Sequence, residues 1–199
     1  MVRAAVVLRL MRHAKTEMNA RKQYLGWTDD AILPAKLPVQ SYANHSIVGS
    51  DLLRCRQTAQ AYFPKASYQA EPRLRELDFG EFEGKTYEQL QHNPAYCAWL
   101  DNPYMPIPKG ETFEAFLSRV YAGFLTHAKD GQIFMTHGGV VRALLQRFAP
   151  QAHPYWHYHA GHEQVYTLIC QHQQDFEEAK RCTYLLEGHI AEKPHMYKK

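Results

Sequence analysis

Apolar residues in this chain fall into short unbroken runs separated by stretches in which they recur every third or fourth position. Val6-Val7-Leu8, Ile47-Val48 and Ile133-Phe134-Met135 are each a short apolar run ended by a polar residue or glycine, the pattern of buried strands. Phe113, Phe116, Leu117, Val120 and Phe124 follow helical spacing behind Gly110-Glu111-Thr112, a capping start. The pattern predicts strands at 4–11, 46–50, 66–70, 132–136, 164–170 and 179–186, and helices at 52–62, 85–92, 94–101, 111–128 and 139–148. Strands alternating with helices indicate an α/β fold built on a parallel sheet. Ligands of such sheets bind beyond the carboxyl ends of the strands.

Chemistry gathers at those ends. Arg12 and His13 follow the first strand directly. A histidine beside a permanent cation is disfavoured as a second cation and suits a neutral nucleophile facing an anion that the arginine grips. After the second strand, Ser50 or Asp51 is placed to cap a helix, leaving Arg54 in its first turn, where free amides and the helix dipole also favour negative charge. After the fourth, Thr136-His137-Gly138-Gly139 leads into another helix, and its glycines allow backbone to approach a ligand closely. Between them lies Leu74-Arg75-Glu76-Leu77-Asp78-Phe79-Gly80-Glu81-Phe82-Glu83-Gly84, whose four carboxylates offer a general acid, with room for at most one of them in a site.

These segments together resemble the histidine phosphatase superfamily, in its phosphoglycerate mutase-like branch (branch 1). The resemblance is carried by Arg12, His13, Thr16 and Asn19 in the opening motif, by Ser50 to Ala59, by Leu74 to Gly84 and by Thr136 to Gly139, all in the family's order. It implies a three-layer, mostly parallel sheet with helices on both faces, a single domain over 1–199, and a helical cap at about 85–128 over the catalytic edge. It further implies a metal-independent phosphatase without cofactor. His13 would attack phosphorus and carry a phosphohistidine intermediate, and Glu76 would act as proton donor and then base. Arg12, Arg54 and His137 would bind phosphoryl oxygens, with Asn19, Thr16 and Gly138 completing the phosphate site. Alanine replaces the family's usual glycine at position 14, lysine its glutamate at 15, and alanine its proline at 31. Ala14 demands a backbone without positive φ.

Segments at Tyr96 to Leu100, Pro108 to Phe113 and Ser118 to Val120 resemble the α-ribazole phosphatase subgroup, which acts in cobalamin assembly. Tyr87, Tyr96, Trp99, Tyr104, Phe113, Tyr155, Trp156 and Tyr158 form an aromatic set suited to a flat leaving group. A broad-specificity phosphatase, a cofactor-dependent phosphoglycerate mutase and an inactive phosphoester-binding module are the alternatives. The absence of arginine from residues 85–110 favours hydrolysis over a mutase.

Composition adds exclusions. A net charge of +3 points to neither nucleic acid nor a membrane surface; the resemblance implies a small-molecule phosphomonoester as partner, and a homodimer stays open. No 18-residue apolar run or cleavable leader pattern is seen, and Cys55, Cys97, Cys170 and Cys182 lack paired C-x-x-C spacing. A cytoplasmic protein with free thiols is the expectation, although Cys170 and Cys182 fall in strands that can pair as a hairpin. His153, His157, His159 and His162 lie on a Pro- and Gly-containing loop, where a solvated or hydrogen-bonded role is favoured over zinc, and one of them can still line the pocket. Lys193 to Lys199 reads as a frayed tail.

Overall fold

The computed structural model describes residues 5–40, 46–178 and 180–190. The expected tail at Lys193 to Lys199 and the first position of the predicted strand 4–11 lie outside them. Six strands form one sheet: β1 (Val6–Arg12), β2 (Ile47–Gly49), β3 (Tyr68–Ala70), β4 (Ile133–Thr136), β5 (Gln164–Cys170) and β6 (Tyr184–His189). Their order is β3-β2-β4-β1-β5-β6. The pairs β3–β2, β2–β4 and β4–β1 are parallel, whereas β5 runs antiparallel to both β1 and β6.

The sheet is covered on both faces, as its side-chain alternation requires. Val6, Leu8 and Leu10 of β1 and Phe134 of β4 enter one apolar core, shared with α5 (Phe113–His127) and α6 (Gly138–Phe148). Met11, Ile133 and Met135 enter the other, against Cys55, Ala59 and Tyr62 of α2 (Leu53–Tyr62). The helix at α5 begins as the sequence indicates, with the Thr112 hydroxyl accepting from the Ala115 amide. At α2 the capping differs from expectation. Its first amide, Leu53, donates to Asp29 from a distant loop, while Asp51 turns away to a two-pronged pair with Arg75. The bidentate attraction of a guanidinium outcompetes a local cap.

Between β3 and α5, two short helices, α3 (Tyr87–Leu90) and α4 (Pro94–Asp101), pack an aromatic cluster rather than an open aromatic wall. Tyr96 and Trp99 are fully buried, touching Phe82, Phe79 and Tyr24, and the Tyr24 and Tyr96 hydroxyls lie 2.6 Å apart. One short helix, α1 (Glu17–Ala20), follows β1, and another, α7 (Gln174–Glu177), links β5 to β6.

The expectation of free thiols is overturned at one pair. Cys170, at the end of β5, and Cys182, just before β6, have Cα atoms 4.4 Å apart and form a disulfide. The antiparallel return of the chain brings them together, while Cys55 and Cys97 stay free. A crosslink closing so short a loop contributes roughly 3 kcal/mol. Reduction by dithiothreitol, or Cys182→Ser, should therefore lower the thermal midpoint by several degrees; an unchanged midpoint in calorimetry would contradict that contribution.

Candidate active site

Strand register brings the two histidines together. Arg12 of β1 pairs with Thr136 of β4, so the next residue on each strand, His13 and His137, emerges at the same edge. The His13 amide donates to the Thr136 carbonyl at 2.9 Å, and the two imidazole centroids lie 5.2 Å apart, edge to face. Both histidines are buried.

The His13 ring has a defined tautomer. Its Nδ1 lies 2.7 Å from the Ala14 carbonyl, which can only accept, so Nδ1 carries the proton and Nε2 keeps its lone pair. Burial first, then Arg12, Arg54 and His162, holds the His13 pKa well below the usual histidine range. The ring is thus neutral at physiological pH, with Nε2 unprotonated. Ala14 has no positive φ, as a residue with a Cβ requires.

Arg12, His13, Asn19, Glu76 and His162, with Gly138, line one pocket of about 260 Å³. Tyr24, Leu25 and Phe79 give it an apolar side, and Lys22 and Arg142 add two cations. Arg12 donates to the Ala160 carbonyl through Nη1 and keeps a buried Nε without a partner. Burial lowers its pKa to about 10, so it stays charged. Asn19 is held in α1 by a reciprocal cap with Thr16; Thr16 itself is buried in that cap and does not line the pocket.

Arg54 and His137 lie behind the pocket and bind one another. Arg54 Nε–H donates to His137 Nδ1 at 3.2 Å, while its two terminal nitrogens donate to the Thr28 and Gly26 carbonyls. Three of its five guanidinium N–H groups are engaged, and Arg54 is not among the residues that line the pocket. Accepting at Nδ1 places the His137 proton on Nε2, 3.6 Å from Cys55 Sγ. Burial and Arg54 push the His137 pKa well below its usual value.

Glu76 is the one carboxylate of its segment in the pocket. Its Oε1 accepts from the Leu77 amide and its Oε2 from Gly139. A Cβ at Gly139 would fall 2.2 Å from Glu76 Oε1, so the second glycine of the pair is what allows this approach. The other three carboxylates are used for structure. Asp78 accepts from the Gly80 amide, Glu81 pairs with Lys109, and Glu83 accepts from the Gly26 and Thr28 amides. Arg119 of α5 fixes the main chain around Glu76, donating to the carbonyls of Arg73, Arg75 and Glu76 while paired with Glu111.

His162 is the pocket residue that sequence reasoning left undecided among the loop histidines. His153 and His157 instead stack on each other at 3.9 Å, away from His13. Among the described residues, no group of three His, Cys, Asp or Glu side chains is arranged to hold a metal ion, and no helix is long and apolar enough to cross a membrane. Tyr24, Leu25, Phe79, Lys22 and Arg142 also went unassigned to the site, because nothing in local sequence marks a residue brought in by tertiary packing. Of the aromatic set expected to meet substrate, none lines this pocket.

The family model of the histidine phosphatase superfamily (branch 1) matches residues 8–181. The chain belongs to that superfamily. Among curated proteins, "Putative phosphoserine phosphatase 2" of Hydrogenobacter thermophilus is 30% identical over 155 residues, covering 69% of this chain and 76% of the relative. Adenosylcobalamin/alpha-ribazole phosphatase of Salmonella typhimurium is 30% identical over 168 residues, covering 75% and 83%. Among solved structures, the alpha-ribazole phosphatase of Shigella flexneri superposes with a TM-score of 0.68 at 20% identity, covering 94% of this chain and 96% of that one. That likeness extends to the fold.

Two outcomes follow for this histidine phosphatase superfamily member. Arg119→Met takes the guanidinium from Glu111, which keeps the Asp78 amide, and from the Arg73 and Arg75 carbonyls, while the Glu76 carbonyl keeps Trp27 Nε1; losing one partner of this largely buried pair should cost about 3 kcal/mol in denaturant unfolding, and a loss below ~1 kcal/mol would show that Arg119 does not hold the Glu76 segment. His13, His137 and His162 are neutral in the folded protein, whereas an unfolded histidine binds a proton below about pH 6.5. Stability should therefore fall as pH is lowered from 7 to 5, by about 2 kcal/mol over that range for each such histidine. A thermal midpoint constant over that range would contradict the assignment.

Proposed function

We propose that the chain hydrolyses small-molecule phosphomonoesters through a phosphohistidine on His13, with no metal in the reaction. The observation that carries this reading is the bare Nε2 of a neutral His13 in one pocket with Arg12 and Glu76. In the first displacement the Nε2 lone pair forms a bond to phosphorus as the ester P–O bond breaks. The Glu76 carboxyl gives its proton to the departing alcohol. Water then attacks phosphorus, its proton passes to the Glu76 carboxylate, the P–N bond breaks, and inorganic phosphate leaves. Splitting one displacement into two lets a single carboxyl serve as acid and then base. Arg12, lining the pocket, with the charge of Arg54 close behind it, would neutralise charge on the phosphoryl oxygens, the main demand of phosphoryl transfer.

For the substrate, α-ribazole 5′-phosphate is our reading. It is supported by the similarity to the Salmonella typhimurium protein and by Tyr24 and Phe79, an aromatic side fit for a flat leaving group. A second reading, an ester of an acidic alcohol, is favoured by Lys22 and Arg142. Among the described residues neither has a carboxylate partner within ion-pair distance. A cytoplasmic location goes with the first reading.

Turnover of α-ribazole 5′-phosphate, phosphoserine, 3-phosphoglycerate and phenyl phosphate decides among these. A kcat/KM for α-ribazole 5′-phosphate at least tenfold above the rest is expected; equal rates would remove that substrate, and isomerisation of phosphoglycerate would indicate a mutase. Acid quench during turnover should trap acid-labile phosphate on the wild type and none on His13→Ala. Glu76→Gln should lower kcat by about 10²–10⁴-fold. Full activity in His13→Ala would refute the nucleophile, and a wild type without turnover would leave a phosphoester-binding module.

A further inference from the structure

His13 stands one residue past β1, where sheet pairing has ended: the last β1–β5 pair is Met11 with Val165. Its carbonyl is buried with the rest of the residue and needs a donor from outside the sheet. His162, on the loop before β5, supplies one. Its Nδ1 lies 2.7 Å from that oxygen, which can only accept, so Nδ1 carries the proton. The other polar atom of the same peptide, the Ala14 N–H, donates to Thr58 Oγ1 of α2 at 2.9 Å. The peptide joining His13 to Ala14 is thus held from two sides of the fold. The His162 ring also meets the His13 ring edge to face, with centroids 5.4 Å apart, so the nucleophile is contacted by an imidazole from α6's entry and by another from the β5 loop.

We propose that His162 is a positioning residue for the nucleophile, holding the His13–Ala14 peptide and the plane of the His13 ring so that Nε2 keeps its line to phosphorus through both displacements. This rests on the phosphatase reading above. His13 gains and loses a phosphoryl group in each cycle while its Nδ1–H stays on the Ala14 carbonyl. Any tilt of the supporting peptide would carry Nε2 off the in-line path, and a displacement of 1 Å can cost about a hundredfold in rate. A ring at position 162 contributes packing and a donor together, which a small side chain cannot. Burial and the nearby Arg12 lower the His162 pKa to about 4, so this support adds no further cation beside two arginines.

The test compares His162→Asn, which keeps an amide N–H near the place of Nδ1, with His162→Phe, which keeps a ring and loses the donor. In His162→Phe, kcat should fall roughly 10–100-fold, with KM and the affinity for inorganic phosphate changed less than about threefold. In His162→Asn, kcat should recover to within about fivefold of wild type. Fold integrity is read by the thermal midpoint, and ¹⁵N-edited NMR reads whether the His13 Nδ1–H stays protected from solvent exchange. Loss of that protection in His162→Phe is expected. A His162→Phe kcat within twofold of wild type, or His162→Asn no better than His162→Phe, would overturn the inference while leaving the phosphatase reading intact. A wild type without turnover would instead remove the phosphatase reading. The positioning contact would then be decided by NMR alone, an unchanged His13 Nδ1–H signal in His162→Phe overturning it.

Discussion

Parallel pairing of β1 with β4 at the register Arg12 to Thr136 is the constraint on which the site depends. It sets two buried histidines side by side at one edge of the sheet, one residue past the last paired positions, where backbone leaves the ladder and side chains can converge. A shift of one residue would turn every β1 side chain to the opposite face, moving Leu8 and Leu10 out of one core and Met11 out of the other. The apolar packing of both layers therefore fixes the position of His13 as firmly as any contact in the pocket.

Two buried cations stand at that edge beside three buried imidazoles. Arg12 and Arg54 are buried close together, and neither has a carboxylate within ion-pair distance among the described residues. By contrast, Arg73, Arg75 and Arg119 are paired with Glu71, Asp51 and Glu111. Unpaired buried guanidinium groups are costly unless an anion joins them. Burial first, and then neighbouring arginine charge, keeps the three imidazoles neutral. Glu76 is held among these cations by main-chain amides and by the Arg119 clamp on its own backbone.

Much of this was legible in the sequence because it is local. Strand ends followed by Arg-His or His-Gly-Gly, and apolar spacing along α5, carry their own signal over a few residues, and the expected α/β fold with a mostly parallel sheet is the one found. What was missed depends on contacts between distant segments. Asp29 caps α2 across more than twenty residues, a pairing that no capping rule for Ser50 or Asp51 can anticipate. The cap aromatics Tyr96 and Trp99 read as pocket residues from composition, yet they stand behind Tyr24 and Phe79 as buried support. His162 was hidden among four loop histidines of similar spacing, and only the return of the chain into β5 separates it from the stacked pair His153 and His157. Cys170 and Cys182 show the same limit, since their proximity follows from strand pairing rather than from their separation along the chain.

In the mechanism we propose, His13 Nε2 attacks phosphorus beside buried arginines. A crystal structure with orthovanadate, which mimics the five-coordinate phosphoryl group, tests it most directly. Vanadium bonded to His13 Nε2 is expected, with vanadate oxygens on Arg12 and Asn19 and one apical oxygen facing Glu76. Vanadate bound elsewhere, or held in this pocket without a bond to His13, would contradict it.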